Sequence, residues 1–369
     1  MTELLTHSRM ACAKTCLRKH YYRYELGLSR IRDADVLRFG SAFHLGCELW
    51  SKGADSDAAI LEVTKGYEVT PEWADPYAWQ VERETVANLL AGYFWYYETD
   101  EMEYIEVEQS FRMPLVNPDT NGKSRKFELA GKRDGIVTSP FPTTQQRLVV
   151  LERKTTGQDI GPDSDYWLRL RCDQQISLYL LAARQQYPEI QEVLYDVIRK
   201  PTIRPRQIPR LDNASLKIVL DEQGERVLNK TGKPRQTGGE GMTLQTSPET
   251  PEAYGERLLA NITERPDFYF QRREIPRLED DLNEFRAEVW QQAQLLQECK
   301  RRNLWFRNVS AMTCPYCEFK DICLQSTTVD PDNLPAGFVR LDDVHPELQE
   351  QDHDTSNSNE STPATATAS

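Results

Sequence analysis

The sequence contains no apolar run long enough to cross a membrane, and Met1 to Met10 lack the basic start, apolar stretch and small-residue cleavage site of a secretory signal. Those two absences predict a cytoplasmic chain without a membrane partner. A Gly-x4-Gly-Lys-Ser/Thr loop is also missing, because Gly122-Lys123-Ser124 has Asn117 where the upstream glycine belongs. The chain therefore carries no recognisable nucleotide-driven motor. Basic charge is in deficit: 45 Lys and Arg stand against 58 Asp and Glu, a net charge of −13. Such a balance argues against a polyanionic partner if it is spread evenly. It is not even. Nine acidic residues face a single Arg340 within residues 326–369, while Arg18, Lys19, Arg199, Lys200, Arg204, Arg206 and Arg210 form basic clusters elsewhere. No internal repeat is visible in the sequence.

What is present fits a soluble globular protein: 39% hydrophobic, 28% charged and 9% aromatic residues over 369 positions. That length allows one large or two ordinary domains, with a core that needs no disulfide staples. In a reducing compartment the eight cysteines read as metal ligands or as small buried hydrophobes.

Apolar spacing predicts helices over Leu26–Leu49 and Thr85–Tyr97, giving a helical N-terminal region at 1–103. Short alternating runs at Tyr104–Phe111, Lys126–Val137 and Arg147–Arg153 predict antiparallel strands, followed by a helix over Asp165–Gln186 and a strand over Glu192–Lys200. This α/β stretch, 104–200, is the expected core. Residues 201–250, rich in Gly, Pro and basic residues, read as an irregular insertion or hairpin. Helical periodicity returns at 251–308, a Cys-rich knot falls at 314–323 within a C-terminal region ending at 325, and the acidic end at 326–369 is expected to be disordered.

Two neighbouring segments carry chemistry. Gly131-Lys-Arg-Asp134-Gly-Ile is joined by a hairpin-length loop to Leu151-Glu152-Arg-Lys154. Side chains two apart on a strand share a face, so Glu152 and Lys154 point together and Asp134 can meet them across the ladder. Hard carboxylate oxygens suit Mg²⁺ or Mn²⁺, which activates water and stabilises a phosphate as charge develops, with Lys154 orienting or deprotonating that water. The structural alternative makes Asp134 a turn residue and Glu152 and Lys154 a solvated strand face. Glu106 and Glu108 could add a carboxylate, although a solvated strand face is the simpler reading for them. Cys314, Cys317 and Cys323 offer three thiols, and a fourth, Cys12 or Cys16, would complete a zinc or iron–sulfur site. Cys47, Cys172 and Cys299 have no partner at ligand spacing and are assigned to packing.

Gly40-Ser-Ala-Phe-His44, Asp134, Glu152-x-Lys154 and Gln175-Ile-Ser-Leu-Tyr179, in that order, resemble the motifs of the PD-(D/E)XK nucleases. With Cys16-Leu-Arg-Lys-His-Tyr-Tyr and the C-terminal Cys triplet they look like the RecB-like branch bearing an iron–sulfur cluster, similar to AddB-type and CRISPR-adaptation nucleases. The resemblance implies a restriction-endonuclease-like mixed β-sheet flanked by helices. It further implies His44 as a metal ligand beside Asp134 and Glu152, and Gln175 and Tyr179 flanking the active site. Cys16, Cys314, Cys317 and Cys323 would hold a [4Fe–4S] cluster that closes the chain ends, with zinc the alternative. The implied activity is exonucleolytic, on DNA ends or single strands in recombination, repair or phage DNA processing, with any helicase or recombination partner on a separate chain. A non-catalytic DNA-binding scaffold with the same fold, or a zinc-dependent interaction module, are the rival readings.

Overall fold

The computed structural model describes residues 2–31, 35–325, 329–330 and 333–348. The chain begins with strand β1 (Glu3–Leu5), helices α1 (His7–Thr15) and α2 (Leu17–His20), and β2 (Leu28–Arg30). Helices α3 (Asp35–Ser51), α4 (Ser56–Lys65) and α5 (Pro76–Tyr96) lead to strands β3 (Glu103–Val116), β4 (Lys123–Ser139) and β5 (Arg147–Thr156). After α6 (Asp165–Leu170), α7 (Gln174–Ala183) and β6 (Glu192–Arg199) come four short strands, β7 (Gln207–Pro209), β8 (Val219–Asp221), β9 (Met242–Leu244) and β10 (Thr246–Pro248). The chain closes with α8 (Pro251–Glu264), α9 (Pro266–Tyr269), β11 (Phe270–Pro276), α10 (Glu279–Arg302), α11 (Lys320–Gln325) and β12 (Phe338–Arg340).

The core is a mixed six-stranded sheet in the order β1-β4-β5-β6-β11, with β3 paired to β4. β3, β4 and β5 are antiparallel, whereas β5 runs parallel to β6, which is why a helical crossover separates them. One apolar layer joins the sheet to α7 and α10 through Ile136, Val150, Val193, Ile176 and Phe285. The other layer packs Phe39, Phe43, Leu90 and Leu258 of α3, α5 and α8 against Ile198 and Phe270. The fold is thus mixed α/β, with helices on both faces of a mixed sheet.

Several elements differ from the sequence-based expectation. The helix expected over Leu26–Leu49 is preceded by β2, because Gly27 takes a left-handed φ of +70° beside the carbonyl of Leu341 and turns the chain. The helix expected over Asp165–Gln186 breaks between α6 and α7. There the buried Arg277 guanidinium donates to the carbonyls of Leu170, at 3.0 Å, and Asp173, at 3.1 Å, holding the turn open. The break resets the apolar face, so Leu168, expected to line up with Ile176 and Tyr179, is exposed. β1 and β11 were hidden in segments read as helical.

The insertion does contain a repeat. Asp212, Asp221 and Asn229 each use Oδ1 to accept the amides two and four residues ahead, at 2.8–3.0 Å. A left-handed residue follows three positions after each, Ser215, Gly224 and Gly232. What repeats is an Asp or Asn plus a tolerated positive φ, not an apolar pattern. Within the segment expected to be a disordered tail, β12 pairs with β2 and Phe338 stacks on Phe319, so this part is packed. The remainder of that expectation, 326–328, 331–332 and 349–369, lies outside the described residues.

Candidate metal centre and cysteine cavity

β4 and β5 bring the acidic residues together. Gly135 pairs with Leu151 in the ladder, and Asp134 Oδ2 accepts the backbone N–H of Arg153 at 2.6 Å. This bond fixes the Asp134 carboxylate against the strand that carries Glu152 and Lys154. From α3, His44 Nδ1 lies 3.7 Å from Asp134 Oδ1. From β3, Glu108 falls between the pairs Val107–Gly135 and Gln109–Arg133, and hence across from Asp134. His44, Glu108 and Asp134 each offer one ligand atom, all within 4.8 Å of one another.

Glu108 has a left-handed backbone, φ 53°, inside a β-strand. A non-glycine residue there costs on the order of 1–3 kcal/mol, which persists only where surrounding structure enforces it. The same conformation breaks strand alternation, separating Glu108 from Glu106, whose carboxylate instead takes Arg133 at 2.7 Å and Tyr187 at 3.0 Å. Burial and the nearby Asp134 raise the Glu108 pKa to about 7, against the opposing pull of Lys132.

Glu152 is buried deeper. Its Oε1 meets Lys154 Nζ at 2.6 Å and Gln175 Nε2 at 2.8 Å, while Oε2 is buried without a hydrogen-bond partner. Burial pushes its pKa up to about 8; Asp134 adds to the rise and Lys154 opposes it. Burial also disfavours charge on Lys154, but Glu152 and Asp134 outweigh it and the pKa is raised. Burial lowers the pKa of His44, keeping a neutral imidazole with a lone pair to give.

α7 supplies the third side of the site. Asp173 caps it by accepting the Gln175 N–H at 2.8 Å. Gln175 Oε1 accepts from Lys154 Nζ at 2.7 Å, and its Nε2 lies 3.0 Å from the Tyr179 hydroxyl. A Cβ at Gly131 would sit 3.0 Å from the Tyr179 ring and 2.8 Å from Phe111, so the tyrosine needs a glycine on β4 at that point. Arg153 points the other way and is fully buried, donating to Tyr93 Oη at 3.4 Å, Ser51 Oγ at 3.1 Å and the Tyr104 hydroxyl. It locks β5 to α3, α5 and β3.

A donor set of two or three carboxylates and one neutral imidazole, with an orphaned buried oxygen on Glu152, fits a hard divalent cation. His44, Asp134, Glu152, Lys154, Gln175 and Tyr179 all converge here. Glu108 takes the place in the closest ligand group that the sequence reading had given to Glu152. Its only signal in the sequence was a carboxylate on the strand before Asp134, because a strained φ leaves no mark in composition.

The four cysteines singled out by spacing line one cavity of about 460 Å³, formed by Cys16 on one side and Cys314, Cys317 and Cys323 on the other. Donors already face three sulfurs: Asn308 N to Cys16 at 3.4 Å, Ser310 N to Cys314 at 3.4 Å, and Arg307 Nε to Cys323 at 3.3 Å. Among the described residues no three of these sulfurs come within 4.8 Å of one another. A lone tetrahedral zinc, with Zn–S of about 2.3 Å, would hold sulfurs about 3.8 Å apart. Cys12 does not line the cavity, and burial raises its pKa to about 12. Cys47 and Cys299 are buried as expected, but Cys172 is exposed because it falls in the turn between α6 and α7.

The family model of the PD-(D/E)XK nuclease superfamily matches residues 4–324. The chain belongs to that superfamily. The match runs from β1 through α11 and so takes in the sheet, the carboxylate site of this nuclease fold and all four cavity cysteines. No curated protein matches the chain. Among the described residues, no helix is long and apolar enough to cross a membrane.

Proposed function

We propose that the chain is a metal-dependent deoxyribonuclease, acting as an exonuclease on DNA ends or single strands during recombination, repair or phage DNA processing. The observation that carries this reading is the meeting of His44, Glu108 and Asp134 within 4.8 Å beside the Glu152–Lys154 pair. His44, Glu108, Asp134 and the unpartnered Oε2 of Glu152 would hold Mg²⁺ or Mn²⁺. When bound, the cation supplies Lewis acidity to a phosphate oxygen and to attacking water.

The protein's own groups do the rest. Lys154, kept protonated by its carboxylate neighbours, offers a positive charge and a donor to the phosphate as negative charge builds. This makes it an orienting and stabilising cation in preference to a base. Gln175 holds Lys154 and Glu152 in one geometry from α7, and Tyr179 holds Gln175. Asp134 is oriented by the Arg153 amide.

The cysteine cavity is read as the seat of a [4Fe–4S] cluster on Cys16, Cys314, Cys317 and Cys323. What supports a ligand role is that the four thiols line one cavity and that N–H donors face three of the sulfurs, as suits thiolates that hold a metal; zinc is the alternative. The role is a clamp between chain ends; Arg18 already bonds the carbonyls of Trp305 and Phe306 across the same seam. Any helicase or recombination partner would be a separate chain.

The deciding experiment is degradation of end-labelled single- and double-stranded DNA with Mg²⁺, Mn²⁺ or EDTA, comparing wild type with Glu152→Ala. Metal-dependent degradation from an end, lost in the variant, is the expected result. Equal cleavage by both proteins would remove Glu152 from the site. Cleavage by neither would leave a DNA-binding scaffold.

A further inference from the structure

A second cavity, about 670 Å³, is lined by Phe39, Tyr77, Gly157, Lys200, Arg204 and Tyr254 among others. It is continuous in chain terms with the machinery on two sides. Gly157 lies three residues beyond Lys154, about 10 Å of extended chain. Phe39 precedes His44 by five residues on α3, about 7.5 Å along the helix. Two of its lining residues therefore lie within about 10 Å, backbone to backbone, of Lys154 and His44.

Its lining combines aromatic faces with cations. Lys200 is held by its backbone N–H to the Thr156 carbonyl at 2.7 Å and by Nζ over the Phe39 ring, 4.5 Å from the centroid. Tyr77 is anchored through its hydroxyl to the Glu249 carbonyl at 2.8 Å, which leaves a ring of fixed orientation and partial exposure. Arg204 is exposed on the rim. The one carboxylate in the lining, Glu82, binds Arg38 at 2.6 Å and the Tyr67 hydroxyl at 3.0 Å and also favours the charged form of Lys200. Arg206 and Arg210, both exposed, carry the positive charge outward along the inserted arm.

We propose that this cavity binds the substrate as a single strand, stacking the base of a nucleotide near the scissile phosphate on Tyr77 while Lys200 and Arg204 hold its flanking phosphates. The proposal rests on the nuclease reading for the course of the strand, and adds to it a substrate form. The volume suits one or two unpaired nucleotides, and stacking on a π-face is indifferent to sequence. A duplex keeps its bases inside the stack and cannot offer one to Tyr77 without unpairing.

The test is fluorescence anisotropy of a short labelled oligothymidylate, and of a matching duplex, on the full chain carrying Glu152→Gln, in Ca²⁺ and over a range of salt. Lys200→Ala with Arg204→Ala is expected to flatten the slope of log K against log salt by about 1.4, at about 0.7 per single-strand phosphate contact. Tyr77→Leu is expected to weaken the single strand about tenfold with the slope unchanged. Lys200→Arg should keep the parent slope. If Lys200→Ala disturbs the fold by circular dichroism, the exposed Arg204→Ala alone should flatten the slope by about 0.7. Absence of single-strand binding, an unchanged slope and affinity in these variants, or an equal loss for the duplex would overturn the proposal. Binding is read without cleavage, so binding that depends on Tyr77, Lys200 and Arg204 by a protein whose wild type cuts nothing sinks the nuclease reading and keeps the cavity. Cleavage by wild type with binding indifferent to these three residues does the reverse.

Discussion

Gln175 Oε1 accepts a hydrogen bond from Lys154 Nζ at 2.7 Å while the same amide donates to Glu152 Oε1 at 2.8 Å. One side chain on a helix thus spans the carboxyl and the amine of a neighbouring strand and bridges the two. Gln175→Ala should leave the fold intact and lower kcat roughly 10–100-fold, the usual cost of removing an orienting partner from a metal site. Gln175→Glu should be no better, since it adds a carboxylate next to buried Glu152. Steady-state cleavage rates at several metal concentrations test both; unchanged kcat in Gln175→Ala would mean that Lys154 and Glu152 hold themselves.

Glu108 separates stability from metal binding. Its left-handed backbone is strained for any residue with a Cβ, so Glu108→Gly should stabilise the metal-free protein by about 1 kcal/mol relative to Glu108→Ala. Both variants should need at least tenfold more metal for half-maximal cleavage, a loss of about 1.4 kcal/mol in binding. Thermal melts in EDTA and metal titrations of activity give the two readings independently. Equal melting temperatures for the two variants would show that the strain is not stored at this residue.

Much of this site was readable from the chain because its signals are local. Glu152 and Lys154 sit two apart on one strand, Asp134 joins them through the antiparallel pairing of β4 with β5, and Gln175 and Tyr179 lie one helical turn apart, so local patterns bring each set to a common face. His44 lacked that support: only the order of motifs singled it out, and its approach to Asp134 depends on how α3 packs across the sheet. Glu108 depends on an unusual φ, and Cys172 on a helix break created by Arg277, a hundred residues away. β1 and β11 are strands only because they find partners in β4 and β6, which no local pattern encodes.

The raised pKa of Glu152 gives a pH dependence with a definite sign. Its folded value of about 8 lies above the ordinary 4.5, so the linked stability is complete below pH 4.5 and is lost as pH rises through about 8. Glutamine imitates the protonated carboxyl. In EDTA, Glu152→Gln should melt close to wild type at pH 5 and above it at pH 8, by roughly 2 kcal/mol after allowance for coupling to Lys154. Adding Mg²⁺ at pH 8 should narrow or reverse the difference by stabilising wild type more than the variant, which keeps His44, Glu108 and Asp134 but loses the Glu152 carboxylate. Parallel melting curves across this range would contradict a proton held on Glu152.

The cysteine cavity joins segments nearly three hundred residues apart, so whatever fills it removes a large loop-closure entropy from the unfolded chain. Purified without oxygen, the wild type should be brown, with iron in several-fold excess over protein and no stoichiometric zinc. Cys16→Ala should be colourless and melt on the order of 10 °C lower, reflecting about 4 kcal/mol of lost cross-linking in a domain of this size. Cys12→Ala is the control, since that thiol lies outside the cavity and should leave the colour unchanged. The seam around Arg18 and the β2–β12 pair would still hold part of the contact in Cys16→Ala, so the protein should lose stability before it loses its fold. Residual DNA cleavage by that variant at low temperature would show the cluster to be a clamp. Complete loss of cleavage in a protein still folded by circular dichroism would instead give the cluster a part in the reaction or in holding DNA.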